Sequence, residues 1–91
     1  MRCEEKVPNG KLVCVEVDAD SEKTTKVRIT GDFFLHPEDA LDKVEASLTG
    51  IPLSACESEL ASRIKGSLGG AQLIGATAED FARIFKKAVT S

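Results

Sequence analysis

The chain has 91 residues, with 12 basic and 15 acidic side chains and a net charge of −3 at pH 7. A nucleic-acid-binding domain normally has a basic face and a high isoelectric point, whereas the isoelectric point here is about 5.1. No stretch is long and apolar enough to span a bilayer, and the polar residues 2–6 do not resemble a signal peptide. We therefore expect a single cytoplasmic domain over residues 1–91, without a nucleic-acid or membrane partner.

The first third of the chain has the alternating pattern of β-strands. Residues 11–18 are largely apolar on both faces, which predicts a central strand that is covered at least partly on each side. Residues 2–7 and 26–30 predict strands before and after it. Asn9-Gly10 is a strong hairpin signal, because both central positions of a type I′ turn need positive φ. Short polar connections favour an antiparallel meander of about three strands.

The rest of the chain has the periodicity of helices. We expect Pro37 at the first position of a helix that ends near Gly50, and a capping box over 54–57 at the start of a second. The glycine-rich residues 66–75 predict a flexible connection, and Thr77 is expected to cap a third helix. The inward face of that helix is predicted to consist of Phe81, Ile84, Phe85 and Ala88. Strands followed by helices predict an α+β fold, with three helices packed on the sheet.

The sequence contains little that indicates catalysis. His36 is the only histidine and has no nucleophile or carboxylate at a recognisable motif spacing. The glycines of 66–75 lack the Gly-Lys-Ser/Thr ending of a phosphate loop. Cys3, Cys14 and Cys56 have spacings that fit neither a disulfide framework nor a zinc site. We predict no catalytic residue, no metal site and no cofactor bound by this chain alone.

Two adjacent aromatic residues, Phe33 and Phe34, make up half of the four in the chain. They follow Gly31 and Asp32 at a corner between a predicted strand and a predicted helix. Neighbouring side chains of an extended segment point to opposite faces, so the two rings cannot both enter one small core. We expect one ring to pack inside and the other to be available to a partner. Lys6-Val7-Pro8-Asn9-Gly10-Lys11 is expected to form a hairpin tip that carries two lysines.

Several short motifs together resemble the accessory domain of lipoate–protein ligase. They are GKLV at 10–13, GDFF at 31–34 with Pro37 three residues later, LTG at 48–50 and AEDF at 78–81. In some members of that family this domain is the C-terminal part of one ligase chain. In others, notably the archaeal two-component ligases, it is a separate small subunit. A start at Met1 and an end shortly after the third helix favour the separate subunit here.

The resemblance implies a non-catalytic subunit that binds the catalytic subunit of the ligase. With its help, the complex would activate lipoate with ATP to lipoyl-AMP before transfer to a lipoyl-domain lysine. ATP, Mg²⁺ and lipoate would be bound at the level of the complex, and lipoyl-domain acceptor proteins would be indirect partners. The family fold, antiparallel strands backed by helices, is related to that of iron–sulfur scaffold and sulfur-transfer accessory proteins.

The resemblance also suggests which residues contact the partner. The expected interface residues are Gly31, Asp32, Phe33, Phe34 and Pro37. Lys11 and Lys6 are expected to point towards the adenylate-forming site, where a cation would offset phosphate charge. The alternative function is a sulfur-transfer or iron–sulfur assembly accessory protein that uses Cys56, a residue in the first turn of a predicted helix, where the helix dipole can lower a thiol pKa.

Overall fold

The computed structural model describes residues 1–8 and 11–90, and this part of the chain has five strands and three helices. In chain order they are β1 (Arg2–Lys6), β2 (Leu12–Ala19), β3 (Thr24–Gly31), β4 (Phe34–His36), α1 (Ala40–Ser47), α2 (Glu57–Leu68), β5 (Gln72–Ile74) and α3 (Ala78–Thr90). The fold is α+β, as predicted. The predicted Asn-Gly turn at 9–10 lies outside the described residues.

The first three strands form an antiparallel sheet with β2 in the centre, which confirms the predicted meander. Val13, Val15 and Val17 of β2 are buried in the core between the sheet and the helices. On the other face Cys14 is buried, but Glu16 is exposed. The helices therefore cover one face of the sheet, and the opposite face is largely polar.

The third helix lies across the sheet and forms the centre of the core. Its predicted inward residues are all buried: Phe81, Ile84, Phe85 and Ala88. The helix begins with a reciprocal cap, in which the Asp80 N–H donates to Thr77 Oγ1 at 3.1 Å and the Thr77 N–H donates to Asp80 Oδ2 at 3.0 Å. These bonds satisfy two backbone donors that the helix itself leaves unpaired, so the predicted Thr77 cap is confirmed.

The first residues of the other two helices differ from the predictions. Pro37 is not the first residue of α1: the Ala40 N–H donates to the Pro37 carbonyl at 3.1 Å, and residues 37–39 form a turn before the helix. In α2 the capping position belongs to Cys56, whose backbone is extended, and not to Ser54. In both cases a residue type typical of helix starts occurs two or three positions too early.

Residues 66–75 are not simply the flexible connection that their glycines predicted. The helix α2 continues to Leu68 and ends at Gly69, whose φ is +56°. After it, β5 pairs antiparallel with β4 in a separate two-stranded sheet, here called the β4–β5 ribbon. The order of strands followed by helices is therefore interrupted once, by β5 between α2 and α3. Each ribbon strand has three residues, too few to show a strand alternation in the sequence.

Two polar contacts attach α1 to β3, which lies at the edge of the sheet. The Ile29 N–H donates to a carboxylate oxygen of Glu45 at 2.7 Å. Near the end of α1, the buried Thr24 hydroxyl donates to the Leu48 carbonyl at 2.6 Å and accepts the Ile51 N–H at 3.2 Å. The position of α1 is thus fixed both along the helix and at its end.

An ion-pair network joins β1 to α3. Glu5 accepts hydrogen bonds from Lys87 at 2.7 Å and Arg83 at 3.1 Å, and Arg83 also pairs with Asp80 at 3.0 Å. The hydrogen bond from Lys87, followed by that from Arg83, holds the pKa of Glu5 below its ordinary value. Within residues 1–8 and 11–90, none of the helices has both the length and the apolar character needed to cross a membrane.

Candidate interaction surface

The corner that carries the two phenylalanines begins with a glycine that no other residue can replace without moving the backbone. Gly31 ends β3, and a Cβ atom there would lie 2.2 Å from the Leu12 carbonyl oxygen. The same oxygen accepts the Asp32 N–H at 2.8 Å. The missing side chain lets the end of β3 pass close to β2, and this close approach places the next residues at the end of the sheet.

Beyond this glycine the two rings separate, as the alternation of an extended segment predicted. Phe33 packs against the core, with its ring centroid 5.0 Å from that of Phe81 in an edge-to-face arrangement. Phe34 begins β4 and is 59% exposed. One ring supports the core and the other faces solvent.

A second apolar side chain lies beside the exposed ring, at a residue that is not among the predicted interface residues. Ile74 is directly opposite Phe34 in the β4–β5 ribbon and is 52% exposed. Among the described residues, the only other large apolar side chain that is exposed is Met1. Leu73, which precedes Ile74 in the chain, is partly buried and packs against the core. The adjacent Leu73 and Ile74 in a glycine-rich stretch are the sequence signal for this patch, but the pairing partner is 40 residues away (Phe34 to Ile74).

The structure brings only one of the two predicted lysines to the corner. A methyl group on Gly75, where φ is +94°, would lie 3.3 Å from Lys11 Cγ and 3.4 Å from Phe33 Cα, so the Lys11 stem runs beside the corner. Lys6 is the last residue of β1 and follows Glu5, which points towards α3. Since side chains alternate along a strand, Lys6 lies on the opposite face of the sheet.

An open groove of about 650 Å³ lies between the corner and the start of α1. Gly31, Phe33 and Phe34 line one side of it. The other side carries three exposed carboxylates, those of Glu38, Asp39 and Asp42. The surface as a whole joins an apolar patch to an acidic rim.

The two remaining predicted interface residues lie beside this groove. Asp32 is exposed between Gly31 and Phe33. Pro37 follows a cis peptide bond and lines a second open groove, of about 600 Å³, together with Gly69 and Gly70 at the end of α2.

The thiol of Cys56 is exposed at the start of α2. Its Sγ lies 3.3 Å from Ser58 Oγ, and this hydrogen bond, followed by one with the Glu59 backbone, lowers the pKa of Cys56. Glu57 and Glu59 are close in sequence, whereas a reactive thiolate is usually supported by cations. Among the described residues no group of His, Cys, Asp and Glu side chains has the arrangement of a metal site.

The sequence and the structure were compared with those of known proteins, and only the structural comparison found a match. No family model and no curated protein matches the sequence. Among solved structures, the fold is similar to that of a chain in the archaeal lipoylation system of Thermoplasma acidophilum, which comprises a bi-partite lipoate protein ligase and its E2 lipoyl domain. The TM-score is 0.72 at 24% sequence identity, over 98% of this chain and 92% of the other. The likeness therefore shows a common fold over nearly the whole of both chains.

Proposed function

We propose that this chain is the small, non-catalytic subunit of a two-component lipoate–protein ligase in the cytoplasm. It binds the catalytic subunit and enables ATP-dependent activation of lipoate to lipoyl-AMP, which precedes transfer to a lipoyl-domain lysine. ATP, Mg²⁺ and lipoate are bound in the complex by the catalytic subunit, and lipoyl-domain proteins meet the complex as acceptors. The observation that carries this proposal is the fold shared end to end with a chain of a bi-partite ligase system.

The exposed patch supports a role in assembly. Phe34 and Ile74 lie side by side, and more than half of the surface of each is exposed. Aromatic side chains are enriched in protein interfaces, and the fully buried centre of an interface is more apolar than the rest of the surface. In the proposal Phe34 and Ile74 contact the catalytic subunit, Gly31, Asp32 and Pro37 shape the corner around them, and Phe33 supports it from inside.

In this proposal Lys11 is the lysine that acts near the adenylate. It is exposed and its stem runs beside Phe33, so an interface centred on the corner would bring its ammonium to the edge of the partner. There a cation would offset the negative charge that develops on the phosphate. Lys6, on the opposite face of the sheet, is the matched control for this role.

The proposal is tested by lipoyl-adenylate formation. The catalytic subunit from the same source is supplied with lipoate, ATP and magnesium, with and without this chain, and the mixture is run on a sizing column. We expect adenylate only in the mixture, with co-elution of the two chains. If the mixture shows no stimulation of adenylate formation and the two chains do not co-elute, the proposal is refuted.

The role of Lys11 is tested in the same assay. Lys11→Ala should lower the rate of adenylate formation roughly tenfold or more while the complex still forms. Lys6→Ala should leave both unchanged. If Lys11→Ala and Lys6→Ala give the same rate, the cation has no part in activation.

A further inference from the structure

The groove beside the Phe34–Ile74 patch has a composition that restricts what can bind to it. Its apolar surface comes from exposed Phe34 and from half-buried Phe33 and Leu41. Its rim on the α1 side carries Glu38 and the pair Asp39 and Asp42. A partner that covers Phe34 must therefore approach these carboxylates as well.

These carboxylates differ from the acids at the start of α3. There, Glu79 pairs with Lys65, and Asp80 pairs with Arg83. In the described part of the chain no ion pair involves Glu38, Asp39 or Asp42. They also do not converge on a common point as metal ligands would. Their charge is thus unpaired within the described residues and faces the groove.

The chemistry of the occupant follows from the cost of covering unpaired charge. A neutral apolar surface would remove water from the carboxylates without replacing its hydrogen bonds, which is unfavourable. An anionic surface would add repulsion between like charges. A surface with lysine or arginine around an apolar anchor satisfies both parts of the groove, because its cations pair with the rim while its anchor covers Phe34 and Leu41.

We infer that this groove receives a segment of the ligase catalytic subunit in which an apolar anchor is flanked by lysine or arginine side chains. The inference rests on the proposed function and adds to it the chemistry of the partner segment. The rim steers association and the apolar patch slows dissociation.

The first test compares two pairs of carboxylates at helix starts. Asp39→Asn with Asp42→Asn removes two charges from the groove at the start of α1, and Glu57→Gln with Glu59→Gln removes two from the start of α2. Binding to the catalytic subunit is measured at about 50 mM and about 300 mM salt, since screening weakens exposed charge pairs. We expect the α1 variant to associate about five- to tenfold more slowly at low salt and to lose most of its salt dependence, with no change for the α2 variant.

The apolar part is tested with Phe34→Ala. This variant should bind roughly 30-fold more weakly at both salt concentrations, mainly through faster dissociation. Thermal unfolding of each variant is measured first, so that a loss of binding is compared between folded proteins.

The outcomes separate the inference from the proposed function. If the wild-type chain binds and stimulates the catalytic subunit, but the α1 and α2 variants behave alike, the inference is overturned and the proposed function stands. If the wild-type chain forms a dimer on its own that Phe34→Ala dissociates, a second copy occupies the patch, and the inference is again overturned.

If the wild-type chain neither binds nor stimulates the catalytic subunit, the proposed function fails, and a peptide probe decides the chemistry of the groove. A short amidated peptide that alternates lysine with leucine and phenylalanine is titrated while backbone amide resonances are followed, and its glutamate counterpart is the control. Shifts at Gly31, Phe34 and Leu41 with the lysine peptide alone, which disappear in Asp39→Asn with Asp42→Asn, support a cation-binding apolar groove. Equal effects of both peptides, or shifts elsewhere, overturn it.

Discussion

Truncating the two adjacent phenylalanines should have very different effects on stability. Phe33 packs edge-on against Phe81, which has no accessible surface, so its loss opens the core. A fully buried phenylalanine replaced by alanine costs about 3–5 kcal/mol, and the loss of an aromatic pair costs about 0.5–1.5 kcal/mol beyond the buried area. Because Phe33 is only half-buried, we expect Phe33→Ala to lower the free energy of unfolding by about 3 kcal/mol.

Phe34 has far less to lose within this chain. It is 59% exposed, so its ring makes less than half of the contacts that a buried ring would make. We expect Phe34→Ala to lower the free energy of unfolding by less than about 1 kcal/mol. The two substitutions remove the same atoms from consecutive residues, so the difference between them measures the separation of the two faces.

The assays are urea unfolding and thermal unfolding, both followed by circular dichroism because the chain has neither Trp nor Tyr for fluorescence. For a domain of this size 1 kcal/mol corresponds to about 4–8 °C in Tm, so Phe33→Ala should lower Tm by about 12–24 °C. Phe33→Leu is the control: it keeps much of the apolar volume but not the aromatic pair, and should cost about 1 kcal/mol. Equal losses for the two alanine variants would refute the assignment of one ring to the core and one to the surface.

Three further results are expected. Gly31→Ala should lower the free energy of unfolding, measured in urea, by about 3 kcal/mol because its Cβ would clash with the Leu12 carbonyl. The control Gly66→Ala, in open space within α2, should raise it by about 0.5–1 kcal/mol. A tolerated Gly31→Ala would contradict the close approach of β3 to β2. Because the pKa of Glu5 is lowered in the folded state, its contribution to stability is present above the unfolded-state pKa and is lost as pH falls through the folded-state pKa. The difference in free energy of unfolding between wild type and Glu5→Gln should therefore shrink from pH 7 towards acid. A difference that stays constant with pH would show that the ion pairs contribute nothing. Cys56 is exposed and has a lowered pKa, so it should react with iodoacetamide before the buried thiol of Cys14 does. Cys56→Ser should still stimulate adenylate formation fully. Loss of stimulation in this variant would favour the sulfur-transfer alternative.

The elements that could be predicted from the sequence are those specified by local patterns. The strand β2 has valines at the alternate positions 13, 15 and 17 within a largely apolar run, and α3 has both a capping residue and an apolar face of 3.6-residue period. In each case the residues that define the pattern are neighbours along the chain or one helical turn apart. The separation of Phe33 from Phe34 was predictable for the same reason, since it depends only on the geometry of an extended segment.

The β4–β5 ribbon and the partner of Phe34 could not be predicted in this way. Ile74 meets Phe34 through a pairing between segments separated by two helices, and three-residue strands carry almost no periodic signal. The glycines around β5 predict a loop because glycine is typical of loops, although in the structure Gly69 and Gly75 mark the ends of ordered elements. The start of α1 was placed too early because proline, aspartate and glutamate are as typical of the turn before a helix as of its first turn.

The attachment of α1 to the edge of the sheet has a consequence for how fast and how tightly a partner can bind. One wall of the groove is the beginning of this helix, and the helix is held to β3 by the Glu45 carboxylate and by the buried Thr24 hydroxyl. A wall fixed in this way loses little conformational entropy when it is covered, so more of the contact free energy is retained as affinity. If the chain binds the catalytic subunit as proposed, we expect the free chain to present this wall in nearly the bound shape and association to be a single-step encounter of preformed surfaces.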